Sequence, residues 1–272
     1  MSAMDEGRAL PRWINAYVAL AALVVLLPII VIVPVSFSAS SSLALPTEGL
    51  SLRWYQSVFG DASLLRAFYL STLIAAVSSI ISLLLGIPAA YVIARRNLRF
   101  LDALLLTPIT FPAVVFGGAL LMVLAPIGLV RTVPGLIAAH ALTTLPFVVR
   151  TVVSTIHGID EALEDAATIL GAGRLRVFRH VVLPLAMPGI LSALCFAFII
   201  SFDEFSVSLF LVGTGVMTLP LEMYQRMQFI INPTIAAASV LLVAITFALV
   251  FIIERIVGVE KMFGVSERRH GH

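Results

Sequence analysis

Few side chains in this sequence could do chemistry, and they are unevenly placed. Asp160, Glu161, Glu164 and Asp165 gather in one short run, and Arg174, Arg176 and Arg179 follow closely. A second acidic pair, Asp203 and Glu204, interrupts an otherwise apolar stretch. Two carboxylates can act as acid and base when they flank a substrate. Adjacent residues of a helix, however, point about 100° apart, so Asp203 and Glu204 are no such pair. His140 and His157 stand alone, with no carboxylate or second ligand at a telling offset, and read as interface or helix-end residues. Neither a His-Glu-x-x-His zinc site nor a nucleophile beside a base is present. Cys195, the only cysteine, lies among apolar residues and reads as a small buried hydrophobe. Met217, Met223 and Met227 read as packing or lipid-facing residues near the outer surface. No catalytic and no metal-binding residues are expected, and the chain reads as something other than an enzyme.

The elements that hold these residues follow from composition. Of 272 residues 60% are hydrophobic and only 12% charged, with a mean hydropathy of +1.09. A soluble domain carries about twice that share of charge, so the chain reads as a polytopic membrane protein. Six apolar runs, about Trp13–Phe37, Ala67–Ala94, Leu101–Ala125, Val133–Ile156, Met187–Val212 and Pro233–Val257, each approach the length that spans a bilayer. The first is too long for the core of a secretory signal and reads as a retained anchor, kinked at Pro28 and Pro34. Pro108 and Pro112 should bend the third. Trp54 and Tyr55 suit an interface. The expected architecture is all-α: an anchor helix and external segment over 1–66, a transmembrane domain over 67–257 with a polar loop at 157–186, and a tail at 258–272. Six spans and short loops leave no room for an ATPase or receptor domain.

Basic residues set the orientation. With the N-terminus inside, Arg8, Arg12, Arg95, Arg96, Arg99, Arg150, Arg174, Arg176, Arg179, Arg255, Lys261, Arg268 and Arg269 are cytoplasmic, whereas Arg53, Arg66, Arg131 and Arg226 are external. The positive-inside rule therefore puts both termini and the 157–186 loop in the cytoplasm. The net charge of +2 is spread over the ends of apolar runs, which argues against a nucleic-acid partner. Within the loop, residues from Glu161 to Leu170 are good helix formers, ended by Gly171 and Gly173. A second short helix, about Leu175 to Val182, should be closed by Pro184.

This loop resembles a known signature. Asp165-Ala166-Ala167, then Gly171, then Val181-Val182-Leu183-Pro184 is similar to the EAA loop of bacterial ABC-importer permeases. Asp165 stands where that motif has glutamate, and Val181 where it usually has isoleucine. Pro88-Ala-Ala-Tyr91, Thr107-Pro-Ile-Thr-Phe-Pro112, Ser201-Phe-Asp-Glu-Phe205, Thr218-Leu-Pro220 and Asn232-Pro-Thr-Ile-Ala236 extend the likeness. They resemble the polyamine, opine and phosphonate branch, and above all spermidine/putrescine (PotC-like) permeases. The resemblance implies a type I (MetI-like) fold in the bacterial cytoplasmic (inner) membrane. It also implies partners: ABC ATPase subunits, a second permease, usually a distinct chain, and an external substrate-binding protein. Glu161–Gly171 would be the coupling helix, with Glu164 and Asp165 pairing with basic groups on the ATPase. Ala166, Ala167 and Leu170 would fill the ATPase groove, Gly171 would make the turn, and Leu183 and Pro184 would close the motif. No Gly-x-x-x-x-Gly-Lys-Ser/Thr loop is present, so ATP and magnesium belong to the partner and no cofactor is expected on this chain.

Asp203 and Glu204 fall inside the fifth run, where each acid costs about 2.5–3.5 kcal/mol on insertion scales. They are expected to face a cavity or partner, either lining a path for a cation such as a polyamine or pairing with Arg226 or another helix end. An opine, amino-acid-like or aminophosphonate cargo is the alternative. A secondary transporter would call for relays on several spans or inverted halves, and neither is evident.

Overall fold

The computed structural model describes residues 12–41, 49–96, 98–229 and 232–257. The tail expected at 258–272, Arg8 and the basic residues Lys261, Arg268 and Arg269 lie outside them. The chain divides into two compact units, Met1–Asp61 with Arg226–Ala244, and Ala62–Gln225 with Ile245–His272.

In the first unit α1 (Arg12–Ser36) runs through Pro28 and Pro34 without breaking. Its Val, Leu, Ile and Ala side chains are almost all exposed, as suits a lipid-facing or partner-facing helix. After it the chain turns back: Ser51 donates its amide to the Phe37 carbonyl at 2.7 Å. The short α2 (Arg53–Gly60) sends the Trp54 indole N–H to the Ser38 carbonyl at 2.8 Å. The Tyr55 hydroxyl meets the Ser36 hydroxyl at 2.7 Å. The two aromatic residues expected at an interface thus tie down the segment after the anchor.

The second unit is built on three long helices. They are α3 (Ala62–Arg96), α6 (Val133–His157) and α9 (Leu183–Phe202). Between the first two lie α4 (Arg99–Thr110) and α5 (Ala113–Leu124); around α9 lie α7 (Glu161–Ile169), α8 (Arg174–Val177), α10 (Ser206–Leu211) and α11 (Leu219–Phe229). The last helix, α12, covers Pro233–Val257. No strand forms among the described residues, which hold only two isolated bridges, Ser38 with Leu50 and Gly213 with Val216.

Among the described residues four helices are long and apolar enough to cross a membrane: Trp13–Ser36, Ala62–Arg96, Val133–His157 and the continuous Arg174–Phe202. Phe100–Thr110 and Ala113–Leu124 pass the same test only as a pair bent by 102°. The bend expected from Pro108 and Pro112 is thus close to a right angle, because Phe111 and Pro112 leave the helical conformation. With that pair the described residues hold five spans. The sixth run is α12, whose apolar described part, Pro233–Ala248, is shorter than a span.

Small residues let α3, α6 and α9 approach. Ser78, Ser79, Ser82, Gly86 and Ala90 are all buried along α3. A methyl group on Gly86 would press into the Val148 and Val149 side chains of α6. Around this seam Leu83, Ala90, Ile93, Val148, Val152, Ile156, Val182, Ala193 and Ala197 form one apolar core. A second core, with Ile74, Leu120, Leu124, Leu136, Val207 and Leu211, joins α5 and α10 to α3 and α6. Hydroxyl groups inside these helices bond backward to their own backbone, as Thr151 does to the Phe147 carbonyl at 2.9 Å, which removes the cost of an unpaired polar group in apolar surroundings. Gly86→Val should lower the stability of the detergent-purified chain by about 1–3 kcal/mol through overpacking, whereas Gly118→Val, where nothing lies within 4 Å, should leave the unfolding midpoint nearly unchanged.

Candidate functional site

The acidic run becomes the N-terminal end of α7. Asp160 caps it, its carboxylate accepting from the Ala162 amide at 3.0 Å. At the other end Gly171 takes the left-handed conformation, φ +87°. Its amide donates to Thr168 at 2.9 Å and that of Ala172 donates to Ala167 at 3.0 Å, the paired bonds of a Schellman stop. Both ends of the helix expected at Glu161–Leu170 are thus written in local chemistry, and the turn assigned to Gly171 is present.

This helix buries none of its residues. Asp165 and Ala166 are exposed and Ala167 is half-buried. Ile169 and Leu170 are 85% and 87% exposed, and Leu175, just beyond the turn, 78%. Apolar side chains exposed to this degree, beside Arg174 and Arg176, form a surface that another protein can cover.

Glu164 differs from its neighbours. Its Oε1 accepts from Arg95 Nε at 2.7 Å and its Oε2 from the Tyr91 hydroxyl at 2.9 Å. The side chains of Glu164 and Arg95 are each only 13% exposed. Arg95 also reaches Glu161 at 3.3 Å and the Ile159 carbonyl at 3.2 Å. Of the two acids assigned to a partner, then, Asp165 faces outward while Glu164 is engaged within the chain. Sequence reasoning missed this because the partners lie in another helix, although Tyr91 and Arg95, four apart, share a helical face.

The second short helix does not stop at Pro184. α8 passes through a π-helical turn, Phe178–Val182, straight into α9, with the Leu183 amide donating to the Phe178 carbonyl five residues back. The expectation of a closed helix is therefore corrected. The widened turn absorbs the hydrogen bond and space that a proline would otherwise cost, and Leu183 and Pro184 sit in the first turn of a span. The Phe178 ring packs against Tyr91, 5.0 Å between centroids.

The fifth run also departs from a single helix over Met187–Val212. The helix ends at Phe202, and Asp203, Glu204 and Phe205 form a break before α10. The acids therefore sit at a helix end rather than mid-helix. Glu204 Oε1 accepts from the Val207 amide at 2.9 Å and so serves the start of α10. Asp203 is exposed. Arg226, one pairing weighed for these acids, bonds Asp61 at 2.7 Å.

His140, which read as an unremarkable interface residue, holds this break. It is buried, 1% exposed. Its Nδ1 lies 2.9 Å from the Ser201 hydroxyl and its Nε2 3.0 Å from that of Ser208. Ser201 also meets Ser78 of α3 at 3.0 Å, and Ser208 donates to the Glu204 carbonyl at 2.8 Å. One imidazole thus joins both sides of the break to α6. Only the coincidence of an intramembrane histidine with serines flanking an acidic pair could have signalled it.

No cluster of metal-ligating side chains occurs among the described residues. Cys195 is half-buried in α9. His157, the last residue of α6, is exposed.

Comparison with known proteins places these features in a family. Residues 82–258 match the model of the binding-protein-dependent transport system inner membrane component. The spermidine/putrescine transport system permease protein PotC of Escherichia coli (strain K12) is 30% identical over 227 residues, 82% of this chain and 86% of the relative. The putrescine transport system permease protein PotI of the same strain is 31% identical over 225 residues, covering 79% and 80%. Among solved structures, a bacterial ABC transporter involved in import of the acidic polysaccharide alginate superimposes with a TM-score of 0.70 at 17% identity, over 94% of this chain and 99% of that one. This last likeness bears on the fold alone.

His140→Leu removes two hydrogen bonds while leaving Ser201 and Ser208 one partner each. Intramembrane bonds are worth about 0.6 kcal/mol on average and at most about 1.7. The variant should therefore lose roughly 1–3 kcal/mol in an unfolding titration of the detergent-solubilised protein.

Proposed function

The chain belongs to the family of binding-protein-dependent transport system inner membrane components and is an ABC importer permease, and from that premise we propose that it carries a polyamine, driven by an ATPase seated on α7. Substrate passes through the spans of a type I fold, while ATP and magnesium stay on the partner. A second permease chain, distinct from this one, completes the path, and an external binding protein delivers the cargo. Both termini and α7 lie on the cytoplasmic side, a reading supported by the bias of basic residues.

The observation that carries the docking role is the exposure of Ile169 and Leu170 on a helix that buries nothing. Together with Ala166 and Ala167 they offer an apolar ridge to a groove, with Asp165 beside it to meet a basic group. Gly171 sets the next helix back toward the membrane. Closure of paired ATPases would then tilt the spans between outward-open and inward-open arrangements.

A polyamine is favoured by the named substrates of PotC and PotI and by chemistry at the break. The exposed Asp203 carboxylate can attract an ammonium group, and a carboxylate at membrane depth is otherwise costly. Glu204 shapes the break through its bond to Val207. An opine, amino-acid-like or aminophosphonate cargo also carries an ammonium group and remains the second reading.

Co-purification with the native partners, followed by ATPase assays over a panel of amines, opines and phosphonates, tests the assignment. Stimulation by spermidine or putrescine is expected; stimulation by another class alone would replace the cargo, and absence of any ATPase in the purified complex would remove the role. Leu170→Asp should cost about 2 kcal/mol or more of ATPase affinity, measured by pull-down titration. Asp203→Asn with Glu204→Gln should reduce uptake without preventing assembly, and unchanged uptake would remove the acids from the path.

A further inference from the structure

We propose that Arg95, with Tyr91, is the positioning clamp through which movement of α7 reaches the spans, by making α7 and α3 one rigid piece. This rests on the importer role given above. The need for such a clamp follows from how α7 is attached. It has nine residues and no buried side chain, and isolated helices below about 12–15 residues are marginal in water. Glycine stands at both of its joints, Gly158 at the end of α6 and Gly171 beyond its own last turn. Glycine is the most permissive backbone. A partner pulling on α7 through Ile169 and Leu170 would swivel it on these joints unless a side chain held it.

The side chain that holds it is Glu164. Both of its oxygens are taken, Oε1 by Arg95 at 2.7 Å and Oε2 by the Tyr91 hydroxyl at 2.9 Å. Arg95 also donates to Glu161 and to the Ile159 carbonyl, so one guanidinium grips the helix and the turn leading into it. Charge-assisted bonds of this forked kind fix orientation as well as distance. Tyr91 extends the grip to the exit side, since its ring lies on Phe178 of the π-helical turn. Arg95 and Tyr91 both belong to α3, which packs along α6 and α9 through Gly86 and the Ser78–Ser201 bond. Through these contacts a displacement of α7 becomes a displacement of three spans.

A clamp that transmits motion differs measurably from one that merely supports the fold. In the complete reconstituted complex, Arg95→Gln should leave assembly and binding-protein-stimulated ATP hydrolysis within about twofold while uptake falls by roughly tenfold or more. The ATP spent per cargo molecule should rise in proportion. Tyr91→Phe, which keeps the ring on Phe178, should do the same to a smaller degree. Arg95→Lys, which keeps the charge but not the fork, should fall between wild type and Arg95→Gln. Reversal of the pair, Arg95→Glu with Glu164→Arg, should restore part of the lost uptake, and Arg96→Gln should leave it unchanged. Parallel loss of hydrolysis and uptake in the well-folded Tyr91→Phe variant would overturn the proposal, as would normal uptake per ATP in Arg95→Gln. Failure of the wild-type chain to bind any ATPase would overturn the importer role, and the clamp with it.

Discussion

A chain this apolar has little water to satisfy its polar groups, so every hydroxyl, imidazole and free carbonyl in its spans must find a partner within the protein. That constraint shapes the α3–α6–α9 trio more than apolar burial does, since lipid is as apolar as leucine and gives helices no reason to prefer one another. Contact comes instead from small residues and hydroxyls. Ser82 illustrates both, donating to the Ala141 carbonyl at 2.8 Å and meeting Thr144 at 2.7 Å. A larger or unbonded side chain at that point would push α3 and α6 apart or leave a polar atom stranded.

The same constraint explains where helices are allowed to fail. Several departures from regular helix in the second unit are met by a substitute partner. Glu204 supplies an acceptor to the amide at the start of α10, and Ser208 returns a donor to the Glu204 carbonyl. Ahead of Pro184 the helix widens by one residue rather than opening. At Phe111 and Pro112 the chain turns sharply, and the Val115 and Phe116 amides both donate to the Pro112 carbonyl, at 2.9 and 3.0 Å.

Legibility followed the same division between local and distant partners. Run length and the positions of Gly171 and Pro112 are local signals, and they pointed to the long apolar helices, the C-terminal end of α7 and the sharp bend, but not to the break at Asp203. The motif Asp165 to Pro184 marked a loop whose helix is exposed in the structure. What could not be read were contacts set by the packing of α3. From sequence, Glu164 and Asp165 are equivalent acids one residue apart. Only the approach of Tyr91 and Arg95 separates them, turning one inward and leaving the other exposed. Pro184 misled for a related reason, since proline usually ends a helix and the π-helical turn that cancels this effect has no marker of its own. His140 was undervalued because its partners, Ser201 and Ser208, take on meaning only once the helix is known to break between them.

α3 is the element that these separate features share. Near one end Arg95 holds α7; farther along, Ser78 bonds Ser201, which bonds His140 and so the break bearing Asp203. At 1.5 Å per residue the two contact points lie roughly 25 Å apart along one helix. Energy coupling over such a distance requires contiguous packed or hydrogen-bonded groups with discrete arrangements. Between these points α3 presents Ser82 and Gly86 to α6, contacts too close to slide without breaking a hydrogen bond or meeting Val148. Gly86 and Pro88 also fall between the two points, so it is packing on α6 rather than an unbroken backbone that keeps this stretch of α3 in place. Under the proposed coupling role, a rotation at the exposed helix would reach the acidic break through this packed stretch of α3.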